Sequence, residues 1–275
     1  MRDWPDDAAS ADAETSATSV APELNAGDVT DSTTADTTAR SRTTATSSRT
    51  GGTATSAGRA ATEIPAPRDG DYQYEVVEHV PAFEDEPAET YNDSYWVRWR
   101  VSRGAGVVTS DETEGFDDDD PTTSYVSSYR TTAATHELVK TVSSDEDGSL
   151  TCAYKPAMTL VNLPLTTGAQ WHNDTTCSDS DGATEHTVND GRVVGSATDV
   201  VGGKSVATVI VKTTETYTET YVDDEPGDAY IVRTERTTHI DPTTLLIVSE
   251  ESTDTDDTGT TTSRLTLKNL EPRKT

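Results

Sequence analysis

Cys152 and Cys177 are the only thiols in this 275-residue chain, and they bracket its most apolar stretch, CAYKPAMTLVNLPLTTGAQWHNDTTC. A pair so far apart makes neither a CxxC redox centre nor a structural zinc site. A catalytic thiol needs an activating base. The nearest, His172, lies on the same strand-like segment as Cys177 at an odd offset, which puts the two on opposite faces of a strand. A disulfide is the chemistry that fits. A TTG turn at Thr166–Gly168 would fold the second cysteine's segment back toward the first, a geometry that permits the bond. Closing such a loop stabilises by roughly 3 kcal/mol in the chain-entropy model, and a lasting disulfide implies an oxidising compartment.

The other candidate chemistry is thinner. FDDDDP at Phe116, SDSDG at Ser178 and YVDDEPGD at Tyr221 offer oxygen ligands for calcium, but none has the Gly and terminal Glu spacing of an EF-hand loop. They read as solvated acidic loops. His79, His136, His172, His186 and His239 fall on separate strand-like segments. His172 and His186 could meet on paired strands and hold a metal, yet they read as surface residues. Glu219 and Asp223 could serve as an acid pair in glycoside hydrolysis; with 50 Asp and Glu residues, such pairs arise by chance. HExxH, GxSxG and phosphate-binding glycine patterns are absent from the sequence. The reading is of a non-enzyme, with no catalytic residue, no metal and no cofactor.

These residues need strands to position them. From Asp69 onward, GDYQYEVVEHV, SYWVRWRVS, TSYVSSYRTT, THELVKTVSS and their successors alternate apolar and polar residues with a period of two. Thr, Val and Tyr dominate, residues suited to a pleated surface. Turn signals separate the segments: DEDG, SDSDG, NDG, VGG, DEPGD, DPTT and TDDTG. One polar face fits antiparallel strands. The expected fold is all-β, about ten to twelve strands in one large curved antiparallel sheet, a sandwich, half-barrel or open barrel. In YWVRW, Trp96 and Trp99 could line a carbohydrate groove; one face packing the core with Arg at its fringe is the favoured reading. Trp171 reads as a core anchor.

Composition sets limits. The formal net charge is -29, from 21 Lys and Arg against 50 Asp and Glu, and hydrophobic residues are 32%, below the usual ~45–50%. Such acidity repels phosphate backbones, so no nucleic-acid partner is expected. No segment approaches the ~20 apolar residues of a membrane helix. Residues 1–67, rich in Thr, Ser, Ala and Asp, read as a disordered tether, a plain linker or an O-glycosylated stalk, ahead of a β domain at 68–275. Met1 is followed by RDWPDDAAS, with no apolar signal segment. Since the cysteines argue for export, the expectation is a start upstream of Met1, with membrane or cell-wall attachment through that missing part.

The stretch Pro156–Trp171, PAMTLVNLPLTTGAQW, resembles a recurring entry into long sheets of bacterial envelope β-proteins. VVGGKSVATVIVKTTET at Val200–Thr216 and RTERTTHIDPTTLLIVSEES at Arg233–Ser252 follow in matching order. Together they look like uncharacterised actinobacterial secreted proteins and lipoproteins, similar to the lipoprotein-localisation-factor (LolA/LppX-like) half-barrel. That resemblance implies an extracytoplasmic protein holding an apolar or lipid-like ligand in a concave sheet. It brings no catalytic residues, and the sequence offers no amphipathic helix as a lid. A structural or adhesive surface module without a pocket is the alternative from another class.

Overall fold

In a computed structural model the described residues are 63–82, 87–115, 124–144, 149–178, 183–220 and 229–274. The three acidic runs, Asp223 and almost all of the tether lie outside them. Twelve strands follow one another: β1 (Gly70–Val80), β2 (Glu89–Gly104), β3 (Val107–Gly115), β4 (Ser124–Thr131), β5 (Thr135–Ser144), β6 (Ser149–Asn162), β7 (Gln170–Ser178), β8 (Thr184–Val201), β9 (Lys204–Thr220), β10 (Tyr230–Ile240), β11 (Ile247–Thr255) and β12 (Thr260–Leu267). Each pairs antiparallel with its sequence neighbours, and β1 pairs with β12 from Tyr74↔Leu267 to His79↔Thr262. The result is a closed up-and-down barrel without helices among the described residues. Closure is the correction to the open or half-barrel expected from sequence. Pairing of the first strand with the last leaves no local pattern for a sequence to carry.

The turns show why these strands reverse where they do. Gly202 and Gly203 have φ of 54° and 79°, the left-handed pair that a two-residue hairpin needs. The β10–β11 turn is built on Asp241, whose carboxylate accepts bonds from Thr243 N and Oγ1 at 2.8 and 2.7 Å and from Thr244 Oγ1 at 2.8 Å. Asp256 repeats the device between β11 and β12 with Thr258 N, Thr258 Oγ1 and Gly259 N. Short carboxylate-to-backbone bonds of this kind fix a turn without burying apolar surface.

The apolar residues gather in two clusters inside the barrel. One joins Tyr72, Tyr74, Val97, Trp99, Leu246, Val248 and Leu267 with Val201 at the tip of the long β8–β9 hairpin. The other joins Val161, Trp171, Val193, Val211, Ile240 and Leu245. Leu163, Leu165 and Ala169 of the β6–β7 loop pack against this second cluster, which accounts for the apolar run between the cysteines. Trp171 lies flat on Gly191, its cross-strand partner; a Cβ at Gly191 would fall 2.1 Å from the indole. Ala66 and Pro67, at the end of the expected tether, are buried. Asp71 is also buried, and Arg98 grips it with Nε at 2.7 Å and Nη2 at 3.1 Å.

The outer face is charged. Glu75, Arg98, Arg100, Lys212, Glu235, Glu251 and Arg264 all point to solvent. A barrel that spans a bilayer carries an apolar band there instead. Among the described residues, no helix is long and apolar enough to cross a membrane.

One seam departs from the regular ladder. Between Leu138↔Met158 and Lys140↔Ala153, β6 holds Tyr154–Ala157 against the single residue Val139, and Pro156 within this bulge has no N–H to donate. On its other side β6 pairs with β7 only at Lys155↔Thr176. Side chains from both strands, chiefly β7, supply what the ladder lacks. Asn173 donates Nδ2 to Thr159 O at 2.7 Å and accepts from Thr159 N at 2.9 Å. The Thr175 hydroxyl donates to Pro156 O, and Asn162 Nδ2 donates to Gln170 O at 2.8 Å. The Cys152–Cys177 disulfide crosses this same seam, with the Cα atoms 5.5 Å apart.

Asn173→Ala removes both amide bonds while leaving two buried backbone groups exposed to the gap. We expect a loss of about 1–3 kcal/mol, measured by urea denaturation under non-reducing conditions. The conservative Asn173→Ser should lose as much, because one hydroxyl cannot reach both partners.

Candidate functional site

Because side chains alternate along each strand, every second residue points into the barrel. On β3 the inward series is Val108, Ser110, Glu112 and Glu114; on β11 it includes Val248 and Glu250; on β9 and β10 it includes Glu215 and Arg236. A cavity of about 440 Å³ lies among these side chains. Twelve strands enclose a wider bore than the ~8 that side chains can fill, so space remains between the two apolar clusters, members of both of which line it. Its aromatic walls are Tyr74 stacked on Tyr95 at 6.0 Å and Trp99 tilted on Tyr129 at 5.5 Å.

Four carboxylates line the cavity, Glu112, Glu114, Glu215 and Glu250, against one guanidinium, Arg236. Arg236 sits between two of them, with Nη1 3.4 Å from Glu215 and Nε 3.9 Å from Glu250. Glu250 also accepts from Thr238 Oγ1 at 2.8 Å, and Glu215 from Asn189 Nδ2 at 3.1 Å. Among the described residues, Glu112 accepts from the Tyr129 hydroxyl, at 2.5 Å. Burial pushes the Glu112 carboxyl up to about 7, against the opposing pull of Tyr129. Burial raises Glu114 and Glu250 as well, with Arg236 and Thr238 resisting at Glu250. His136 also lines the cavity. Its ring stacks on Tyr129 at 5.1 Å, Nδ1 bonds Thr131 Oγ1 at 2.8 Å, and burial lowers it to about 4.

Two buried polar atoms in this lining have no protein partner, Trp99 Nε1 and Asn189 Oδ1; each residue is 6% exposed. Leaving such groups unpaired costs about 1–3 kcal/mol each, so a site that retains them is shaped for something other than its own packing.

The residues singled out from sequence have separate fates. His172 and His186 do not meet: His172 Nδ1 bonds Asp190 and His186 Nε2 bonds Asp174, each at 2.9 Å on the outer face. His239 bonds Asp199 at 2.9 Å, and His79 bonds Thr90 at 2.8 Å. His172 and Cys177 fall on opposite faces of β7. Trp96 and Trp99 also part. Trp99 faces the cavity, while Trp96 lies outside beneath the Arg273 guanidinium at 4.1 Å. Cys152, Cys177 and the Glu185 carboxylate cluster within 4.8 Å, a set with metal-ligating atom types in which both sulfurs are bonded to each other.

Glu112, Glu114, Glu215, Glu250, Arg236 and Asn189 were not singled out by the sequence reading. The signal was there in VVTSDETEG, where Asp111 and Thr113 are polar on one face and Glu112 and Glu114 on the other. A strand polar on both faces has a wet interior side.

A larger hollow, about 560 Å³, lies on the outer surface across β7–β11. Its Asp190, Arg192, Lys212, Glu235 and Glu251 are of mixed sign and offset one another. Trp171 Nε1 is also unpartnered there, but the shifted carboxylates are in the lumen.

Fold and site together define a closed antiparallel barrel with an acidic, aromatic-walled lumen. No protein-family model matches the chain, and no curated protein matches it in sequence. Among solved structures it is similar to an inferred exported protein with a YmcC-like fold from Bacteroides fragilis. That match has 10% identity and a TM-score of 0.42, over 76% of this chain and 98% of that one. It is also similar to the hypothetical lipoprotein YmcC of Escherichia coli, at 12% identity and a TM-score of 0.29, over 74% and 86%. Likenesses this distant carry no functional argument.

The lumen carboxyls set a pH dependence. Glu112 is higher folded, about 7, than the ordinary 4.5. Its penalty is therefore absent below 4.5, grows as pH rises, and is complete above about 7. His136 acts the other way, its penalty growing as pH falls from 6.5 toward 4. Comparing Glu112→Gln with the parent isolates the carboxyl. The variant should match the parent near pH ~4.5 and exceed it by about 1–3 kcal/mol at pH ~8 in urea denaturation.

Proposed function

We propose that the protein is a non-catalytic, extracytoplasmic carrier that binds a small molecule in its barrel lumen. The carrying observation is the cavity of about 440 Å³ with Trp99 Nε1 and Asn189 Oδ1 unpartnered in its wall. Concave sites with aromatic walls and a few converging polar groups are the usual form of small-molecule pockets. A surface module without a pocket would fill this space. The lining also bears on ligand type. A bare acyl chain would have to lie against four carboxylates and one guanidinium, which lose hydration with no return. The ligand is therefore polar or amphiphilic.

Two observations support the compartment. The disulfide crosses the seam where the ladder is thinnest, and structural disulfides persist in oxidising surroundings. The solvent face carries charges of both signs and is free of an apolar band among the described residues, as suits a water-exposed barrel.

A non-catalytic role fits the groups present. Glu112 is bonded to the Tyr129 hydroxyl and His136 to the Thr131 hydroxyl, and Thr131 is fully buried, so its hydroxyl serves packing and is not presented to a substrate. Of the acid pair considered from sequence, Glu219 lies at the end of β9 and Asp223 outside the described residues.

The test is native mass spectrometry of protein purified from its own host without reduction. The expected result is a chain two hydrogens below the reduced mass with a small molecule retained, released by Asn189→Leu. Free thiols in host-purified protein would contradict the extracytoplasmic assignment. A parent protein with no retained molecule, in which the Asn189→Leu variant gains stability without any change in small-molecule uptake, would contradict the carrier role.

A further inference from the structure

The charge arrangement in the lumen narrows the class of ligand. Arg236 is shared between Glu215 and Glu250. Glu112 and Glu114 lie two residues apart on the inward face of β3, and among the described residues no cation contributes to the balance at either one. Buried carboxylates ordinarily have a cationic partner. Here the protein supplies none, and it places aromatic rings alongside instead. Tyr74, Tyr95, Trp99 and Tyr129 all line the same space, and ring faces of this kind attract cations. Asn189 Oδ1, on β8, is an unused acceptor and Trp99 Nε1, on β2, an unused donor, both buried and both in the cavity lining, on opposite sides of the barrel.

We propose that the lumen binds a protonated organic amine that also carries an oxygen acceptor, with Glu112 and Glu114 taking the ammonium group and Asn189 Oδ1 and Trp99 Nε1, on opposite sides of the lumen, available to the ligand's other polar groups. The inference rests on the carrier reading above and adds the sign of the ligand. It uses every polar group in the wall that the protein leaves unmatched. It also explains why the lumen tolerates Glu at positions where Val or Leu would pack: the ammonium replaces the missing cation. A neutral ligand would leave both carboxylates unpaired, and an anion would add to their repulsion.

Binding should depend on pH through Glu112. The groups facing it are Glu114 on its own strand, Tyr129 on β4, His136 on β5, Tyr74 on β1, Tyr95 on β2, Glu215 on β9, Arg236 on β10 and Glu250 on β11. Of these, only Arg236 is cationic at neutral pH, and it is already engaged by Glu215 and Glu250. Ionising Glu112 therefore strengthens the attraction for an ammonium, and affinity rises as pH rises toward 8.

The experiment compares tyramine with 4-propylphenol, of similar shape but without the charge, by isothermal titration on the folded, oxidised chain at about pH 8. Tyramine should bind at least roughly tenfold more tightly, the ratio expected for one additional charge-assisted contact. The preference should shrink to within about threefold in Glu112→Gln/Glu114→Gln and fall in the parent protein at about pH 5.5. Glu114→Gln alone, which removes a charge no protein group neutralises, keeps the test available if the double variant does not fold; it should lose part of the preference. Equal or tighter binding of 4-propylphenol would overturn the amine inference while leaving a lumen site in place. No binding of either probe at about millimolar concentration would overturn both, because a lumen of this size and lining admits either molecule.

Discussion

The barrel depends on how β6 and β7 are joined. Eleven of the twelve strand pairs are held by ladders of six or more paired positions, some interrupted by a bulge, and this one is not: Pro156 and the bulge around it leave one paired position, Lys155↔Thr176. An unpaired edge in a sheet is both unstable and prone to association with other strands. The protein replaces the missing ladder with the Asn173 amide, which reproduces a donor and an acceptor of a backbone group, with the Thr175 hydroxyl, and with a covalent bond. The loop that follows, Leu163 to Ala169, lays its apolar side chains on the second core cluster. The only cysteines and the most apolar stretch occur together because both secure the same weak join.

A closed ring of twelve strands is wider than its apolar residues can fill, and this governs the lumen. Two clusters occupy part of the bore, and Glu, Tyr, Asn and Arg occupy the rest. The low apolar content of the chain, 32%, is thus a property of the barrel as well as of its N-terminal part. Burying carboxylates raises their affinity for protons, as at Glu112, Glu114 and Glu250. That is a cost in stability at neutral pH which better packing would remove. Functional sites are where such departures from optimal packing concentrate.

Much of this was legible in the sequence. Alternation with a period of two gave most of the strands, and Gly202-Gly203 and Asp241-Pro242 marked turns that the structure places between β8 and β9 and between β10 and β11, whereas NDG at Asn189, expected as a turn, runs within β8. Closure was not legible, because Tyr74↔Leu267 joins residues at opposite ends of the domain with no local signature. The lumen was hidden for a related reason. A Glu on a strand is ordinarily assigned to solvent, and Glu112 differs from Asp111 only in which way the pleat turns it. Only the register of neighbouring strands, with Val97 paired to Glu114 and Trp99 to Glu112, shows that the glutamates point inward. Similarly, His172 and His186 sit on adjacent strands as expected, but register assigns each to its own aspartate.

The most direct measurement of the role of the β6–β7 join is amide hydrogen exchange of the oxidised and the reduced protein, compared strand by strand. If the disulfide and the β7 side chains are what close the barrel, reduction should speed exchange in β6, β7 and the loop between them, by roughly a hundredfold for a loss of about 3 kcal/mol. The amides of β9 to β12, held by full ladders, should change far less. Uniform acceleration across all twelve strands, or none anywhere, would contradict this account of how the barrel is closed.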